Sequence, residues 1–150
     1  MLNPSFFIRR MTEQDLDAVM RIEVEVFALP WSRKSYASEL VNKWATYLVC
    51  DIDGDIAAYC GMWVVFDEAH ITNVAVATAF RHQGCGRALL EAMDTVAREK
   101  KALYISLEVR PSNSSALALY EGMGYIQTGC RKAYYQDNQE DALIMTKPLC

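Results

Sequence analysis

The sequence lacks the apolar run that a membrane span would need, because no stretch approaches roughly 18 uninterrupted apolar residues. Its first residues, Met-Leu-Asn-Pro-Ser, also lack the basic region followed by an apolar one that marks a secretory signal. Both absences favour a cytoplasmic protein with no membrane partner.

Patterns for binding metals and nucleic acids are missing as well. The five cysteines are scattered and never spaced as a metal-binding pair, and His70 and His82 are the only imidazoles in the chain. We therefore expect reduced thiols and no metal. A net charge of −4 without clustered Lys and Arg argues against direct nucleic-acid binding and suits a basic acceptor better.

What the sequence does contain is enough apolar residues for one well-packed domain. They make up 52% of the 150 positions, and a chain of this length buries roughly two-thirds of its unfolded surface. No repeat, low-complexity tract or linker divides the chain. We expect a single domain over residues 1–150.

Periodicity and turn signals predict a mixed α/β fold with four helices and six or seven strands. Thr12, with Asp15 three places on, begins a helix whose apolar side includes Val24, and Ser32 caps a second helix that runs to Leu40. Asp53-Gly54 predicts a hairpin, and Asp67-Glu68 a further turn. The predicted strands are residues 5–10, 44–52, 56–66, the run that begins at 71, 102–109, 125–130 and 141–146, and the later helices are 84–100 and 114–123. The strands within residues 44–77 form an antiparallel meander, and the helix 84–100 makes the strands on either side of it a parallel central pair.

The most informative stretch, residues 71–87, predicts a strand, a Gly-rich loop and the start of a helix. The first backbone N–H groups of a helix have no partner inside it, so they can bind an anion such as a diphosphate. Gly84 and Gly86 allow close approach to the main chain and positive φ angles, while Arg81 and Arg87 add positive charge. The alternative is an ordinary strand-to-helix connection.

Two known phosphate loops are excluded at this position. No Gly-Lys-Ser/Thr ending is present, and Leu89 stands where the dinucleotide fingerprint has its third glycine. What remains, Arg81-x-x-Gly84-x-Gly86, resembles the coenzyme A loop of the Gcn5-related N-acetyltransferase (GNAT) family.

A carboxylate and a phenol are candidates for proton transfer. In an α/β sheet, ligands gather at the C-terminal ends of the central parallel strands, which places residues 74–76 and 107–110 around one crevice. Glu108 is costly to bury in its apolar run without a purpose or partner, and it would serve as a general base. Its alternatives are to face water or to pair with Arg110. Tyr120, on the next helix, either reaches the crevice as a proton donor or packs in the core.

Later motifs narrow the resemblance. They are Leu107-Glu108-Val109-Arg110, Ser112-Asn113, Ala118-Leu119-Tyr120-Glu121, Arg131-x-x-Tyr134-Tyr135 and Glu140-Asp141-Ala142-x-Ile144-Met145. With the loop they cover nearly the whole chain, which resembles the RimI-type ribosomal-protein-alanine N-acetyltransferases of bacteria. The GNAT fold is thereby implied.

The resemblance also implies a site and a reaction. Acetyl-CoA would be the cosubstrate, Glu108 the general base and Tyr120 the general acid of a direct transfer. The coenzyme contacts implied are Val74, Ala75, Val76, His82, Gln83, Gly84, Cys85, Gly86, Arg87 and Asn113, the last of which could instead cap its own helix. The implied acceptor partner is the N-terminal peptide of small-subunit ribosomal protein eighteen, with residues 27–32 resembling the acceptor-side loop. Alternative acceptors are a Lys side chain, a polyamine or an antibiotic. The alternative of another class is a non-catalytic acyl-CoA sensor.

Overall fold

The computed structural model describes residues 6–149, which build a seven-stranded mixed sheet. The strands are β1 (Phe6–Arg10), β2 (Ala45–Ile52), β3 (Asp55–Val65), β4 (Glu68–Val76), β5 (Tyr104–Val109), β6 (Ile126–Arg131) and β7 (Ala142–Pro148). Their order in the sheet is β1-β2-β3-β4-β5-β7-β6. Only β4 and β5 pair in parallel within the described residues, which confirms the predicted parallel central pair and the antiparallel first half.

Within residues 6–149, four helices cover the two faces of the sheet. They are α1 (Leu16–Val26), α2 (Arg33–Leu40), α3 (Cys85–Glu99) and α4 (Ser114–Gly122), with short 3-10 turns at Glu13–Asp15 and Thr78–Phe80. The helices α1 and α2 pack on one apolar cluster, and α3 and α4 pack on another across the sheet. None of the helices in residues 6–149 is long and apolar enough to cross a membrane.

Local signals account for most of the boundaries. Ser32 caps α2 by accepting a hydrogen bond from Ser35 N at 3.1 Å, as predicted. Asp53 and Gly54 both have positive φ, as a type I′ hairpin turn requires. The Asp15 carboxylate accepts from Thr12 N at 2.8 Å, which completes the returning half of a capping box. A 3-10 turn follows this box before α1 begins.

Some predicted details were wrong. Val24 is 61% exposed, because the helical repeat from Leu16 places Glu23 rather than Val24 on the apolar face. The second turn is formed by Phe66 and Asp67, and Glu68 already belongs to β4. Strand β5 begins at Tyr104 rather than at residue 102, because residues 100–102 close the end of α3. The first predicted strand position, residue 5, lies outside the described residues.

The two parallel strands separate soon after they meet. Strand β4 pairs with β5 only from Glu68 to His70. Thr72, two residues after His70, forms a β-bulge. Gly61 of β3 pairs with Asn73 and the next residue, Met62, pairs with Ile71, so Thr72 is left without a partner in β3. A β-bulge bends and twists its strand, so the C-terminal half of β4 turns away from β5. The gap between them is where the site lies.

Candidate active site

The loop between β4 and α3 presents a row of unpaired backbone donors. From His82 to Arg87, no backbone N–H makes a hydrogen bond to any of residues 6–149, and Ala88 N is the first to do so, to Gly84 O at 3.0 Å. The backbone is left-handed at His82 (φ 64°) and at Gly84 (φ 86°). These donors lie at the positive end of a 15-residue helix, an arrangement that favours an anion.

The side chains of this loop are divided between solvent and core. Those of His82, Gln83 and Arg87 are exposed, whereas Cys85 is buried in the apolar cluster beneath α3. Gly86 is buried as well, and a Cβ there would meet side chains of β4 and α4 at 3.5 and 3.6 Å. Gly86 thus faces the protein interior, and Gly84, around which nothing would crowd a Cβ, is the glycine open to a ligand.

Strand β4 leaves one edge open beside this loop. Ala77 N donates to Ala57 O of β3 at 2.8 Å. Because the direction of the hydrogen bonds alternates along a strand, Val74 and Val76 direct their N–H and C=O groups away from β3. On that side β5 has already diverged, so the two residues can bind an extended ligand as an added strand would.

Ala75 does not join the other predicted coenzyme contacts. By the same alternation its backbone faces β3, opposite Tyr59. Its side chain is buried in the cluster beneath α1 and α2. The structure therefore gives Ala75 no group that faces the opening.

A cavity of about 340 Å³ lies where β4 and β5 diverge. Its walls come from the α1–α2 loop, the two strands, the start of α4 and the β6–β7 loop. Glu108 and Tyr120 both line it, together with Trp31, Asn73 and Asn113. The two residues predicted to move protons are thus brought into one cavity.

A histidine from the neighbouring strand holds Glu108. His70 Nε2 lies 2.9 Å from Oε1 and 3.1 Å from Oε2 of Glu108, whose side chain is 15% exposed. An ionised carboxylate only accepts hydrogen bonds, so Nε2 donates to it. The predicted alternative of a pair between Glu108 and Arg110 is wrong, because Arg110 binds Asp137 and Glu140 instead.

Tyr120 combines the two roles that its sequence position left open. Its ring packs in the apolar cluster 5.8 Å from the ring of Tyr125, and its phenol oxygen makes no side-chain hydrogen bond within residues 6–149. Burial raises the pKa of Tyr120, so the phenol is protonated at neutral pH. Asn113 is likewise shared: its Oδ1 caps α4 by accepting from Ala116 N at 3.1 Å, while the residue lines the cavity.

The β6–β7 loop is tied to the end of β5. The guanidinium of Arg110 contacts both oxygens of Asp137 at 2.9 and 3.0 Å and Glu140 at 3.3 Å. Its central carbon lies 3.9 Å from the ring centre of Tyr135, which meets Tyr134 edge to face at 5.0 Å. Arg110 therefore fixes two aromatic rings at the cavity mouth.

Three features of this site were not anticipated: the His70 contact, the Arg110 anchor and a buried carboxylate, Glu23, behind the α1–α2 loop. The buried position of Glu23 could have been found from the sequence, since Glu23 lies seven positions after Leu16 and so on the apolar face of α1. The other two depend on register across the sheet and on the path of a polar loop. Periodicity does not reveal either.

Comparison with known proteins identifies the family. Residues 16–125 match the sequence model of the Acetyltransferase (GNAT) family. The chain is 45% identical to the putative [ribosomal protein bS18]-alanine N-acetyltransferase of Bacillus subtilis (strain 168), over 92% of each chain. It is 38% identical to the [ribosomal protein bS18]-alanine N-acetyltransferase of Escherichia coli (strain K12), over 95% of this chain and 97% of that one. The crystal structure of the ribosomal-protein-S18-alanine N-acetyltransferase from Escherichia coli matches with a TM-score of 0.88 at 37% identity, covering 97% of this chain and 94% of that one. The chain therefore belongs to the acetyltransferase (GNAT) family.

Proposed function

We propose that this protein transfers the acetyl group of acetyl-CoA to the N-terminal alanine of ribosomal protein bS18, with Glu108 as general base and Tyr120 as general acid. The observation that carries the proposal is that both side chains line one cavity, beside a loop of unpaired N–H donors. The relatives in B. subtilis and E. coli are named for this activity. A cytoplasmic location follows, because ribosomal proteins are made there.

The residues around the loop fit acetyl-CoA, which supplies the activated acetyl group when bound. The N–H groups from His82 to Arg87 would hold its diphosphate at the start of α3. The open backbone groups of Val74 and Val76 would bind the pantetheine arm, and the amide of Asn113, which lines the cavity, would donate to it.

Glu108 and Tyr120 would carry the protons of the transfer. Glu108 takes the proton of the acceptor amine, directly or through a water, while His70 holds its two oxygens in place. Tyr120 gives its proton to the departing sulfur. Burial raises the pKa of Tyr120 and makes it a weaker acid, but the same desolvation makes a thiolate formed beside it a stronger base, so the two effects offset.

The acidity of the acceptor favours an N-terminus over a Lys side chain. An α-amino group has a pKa of about 7.7 to 8.0, against about 10.4 for Lys, so it loses its proton at a cost lower by roughly 3.5 kcal/mol. A carboxylate base such as Glu108 is better matched to the easier task. A peptide with a free N-terminal alanine is therefore the acceptor to test first.

The test uses a synthetic peptide that carries the N-terminal sequence of bS18 and an internal Lys. After incubation with acetyl-CoA, fragment mass spectra should place the acetyl group on the α-amine, and a peptide with a blocked N-terminus should stay unmodified. Label on Lys would reject the proposed acceptor. Binding of acetyl-CoA without any product would instead indicate a non-catalytic sensor.

A substitution tests the base. We expect Glu108→Gln to lower kcat by about 100-fold or more, since general base catalysis contributes at least this much, and to leave acetyl-CoA affinity within about twofold. The matched control is Glu121→Gln, the same change at an exposed position of α4, which should behave as wild type. Full activity of Glu108→Gln would remove this carboxylate from the mechanism.

A further inference from the structure

Glu23 is a buried carboxylate that the proposed reaction does not use. Its residue is 2% exposed, and no ion pair within residues 6–149 includes it. A buried carboxyl group without a cation beside it is costly, and an apolar side chain in the same place is often more stabilising. A carboxyl group kept in such a position suggests a role that an apolar residue could not fill.

The two oxygens of this carboxylate have different partners. Oε1 accepts hydrogen bonds from two phenols, Tyr36 at 2.6 Å and Tyr59, while Oε2 accepts from the backbone N–H of Trp31 at 2.8 Å. One oxygen therefore joins α1 to α2 and to β3. The other holds the α1–α2 loop.

Within the described residues 6–149, the bond from Trp31 N to Glu23 is the only hydrogen bond that residues 28–31 make. The Trp31 ring packs on Tyr36, with ring centres 5.2 Å apart, and Tyr36 itself binds Glu23. Both the backbone and the ring of Trp31 thus depend on the same carboxylate.

Tyr36 also connects Glu23 to the opposite wall of the cavity. Asn73, which follows the bulge in β4, donates its side-chain N–H to the phenol of Tyr36. Asn73, Trp31 and Leu29 line the cavity that contains Glu108. A single buried group therefore sets the distance between the loop and β4, where an acceptor peptide would enter.

We propose that Glu23 is a positioning residue for the acceptor: it holds Leu29 and Trp31 as a preformed wall against which the N-terminal residues of the peptide lie. This inference rests on the proposed function. A preformed wall spares the peptide the cost of ordering the loop. Loss of the anchor therefore weakens peptide binding without touching the groups that transfer protons or bind acetyl-CoA.

The variant that tests this role is Glu23→Leu. Leu has no side-chain oxygen, so Trp31 N loses its acceptor whatever rotamer the side chain adopts. We expect the KM for the acceptor peptide to rise roughly tenfold, as the loss of a buried hydrogen bond predicts, while kcat and the KM for acetyl-CoA stay within about twofold. Hydrogen exchange of the Trp31 amide should become faster by a similar factor.

Tyr59→Phe is the matched control, because it removes a hydrogen bond to the same carboxylate but not the one to the loop. It should lower the melting temperature and leave the peptide KM and the Trp31 amide unchanged. An unchanged peptide KM in folded Glu23→Leu, or an equal rise in Tyr59→Phe, would overturn the inference. Wild-type protein that fails to acetylate the peptide would overturn the proposed function instead, and the inference with it.

Discussion

At the scale of single residues, the site depends on a carboxylate held where two strands part. His70 is the last residue of β4 that pairs with β5, opposite Ser106, and it reaches Glu108 two residues further along that strand. Both carboxylate oxygens contact the same ring nitrogen. This contact fixes the rotation of the carboxylate, and a general base works only when its oxygen faces the proton that it removes.

Substitutions at His70 should separate orientation from packing. We expect His70→Leu, which loses the donor, to lower kcat roughly tenfold, because misplacement of a catalytic group by a fraction of an ångström is costly. His70→Gln, whose amide can still donate to Glu108, should recover most of the loss. Steady-state kinetics would measure both, with the KM for acetyl-CoA unchanged. A fully active His70→Leu would show that the carboxylate needs no support.

At the scale of elements, the loop before α3 combines a left-handed glycine with a buried one. Gly84 adopts φ 86° with open space around it, whereas Gly86 lies in the first turn of α3 against the core. A side chain at Gly84 is therefore strained but not crowded, and a methyl at Gly86 makes only ordinary contacts. Gly84 is therefore required by its backbone conformation, whereas Gly86 is packed against neighbouring side chains.

This difference predicts unequal effects of the same substitution. Gly84→Ala should weaken acetyl-CoA binding roughly 5- to 30-fold, since the left-handed conformation costs other residues about 1–2 kcal/mol. Gly86→Ala should fold normally and change the affinity less than threefold, because its methyl points into the protein. Isothermal titration with coenzyme A compares the two variants. Equal losses would mean that the Cβ at Gly86 disturbs the loop as well.

Another connection between elements relies on charge. Arg9 of β1 binds both oxygens of Asp15 at 2.8 and 2.9 Å and also contacts Asp51 of β2 at 3.1 Å. The hydrogen bonds from Arg9, together with two from the backbone and side chain of Thr12, hold the pKa of Asp15 below its usual range. A carboxyl with a depressed pKa stabilises the fold above its unfolded value of about 3.9 and loses that contribution as pH falls through the folded value.

Asp15→Asn should therefore destabilise the protein in a pH-dependent way. At pH 7 we expect a loss of about 1.5–3 kcal/mol in the free energy of unfolding, measured by urea titration. The difference from wild type should begin to shrink below about pH 4, the pKa of this carboxyl in the unfolded chain, and should keep shrinking until the folded carboxyl is protonated as well. Asp17→Asn, at an exposed pair with Arg33, should change little at either pH. A loss that did not vary with pH would assign the effect to packing.

At the scale of the whole molecule, the sheet separates two apolar clusters and shields most of the thiols. Cys50, Cys60 and Cys85 are buried in the cluster beneath α3 and α4, whereas Cys130 on β6 is exposed. Burial raises the pKa of the Cys50 thiol to about 12 and raises that of Cys60 as well. Only the thiolate reacts with disulfide reagents, so Cys50 and Cys60 are protected both by their inaccessibility and by their raised pKa.

Thiol titration tests this arrangement. In a Cys150→Ser background, which limits the assay to cysteines within the described residues, one thiol should react rapidly in the native protein and three more only in denaturant. Adding Cys130→Ser should abolish the rapid reaction. Rapid reaction of further thiols without denaturant would show that the core opens on the time scale of the assay.

Elements with local signals could be predicted from the sequence. The Asp53-Gly54 hairpin, the Ser32 cap and the strand, loop and helix around Gly84 each depend on neighbours within a few residues. The parallel pair also followed, because a helix between two strands returns the chain in the same direction. For the same reason Glu108 and Tyr120 could be predicted to approach one crevice from successive elements.

Tertiary structure alone decided which distant residues meet. His70 and Glu108 are 38 positions apart, and Glu23 and Tyr59 are 36 apart. The need for glycine at position 61 likewise could not be predicted from the sequence: a Cβ there would overlap the Tyr47 ring, a constraint that appears only when β2 and β3 are in register. Periodicity determines which face of an element is buried, whereas register, bulges and twist determine what that face touches, and these arise from packing of the whole sheet.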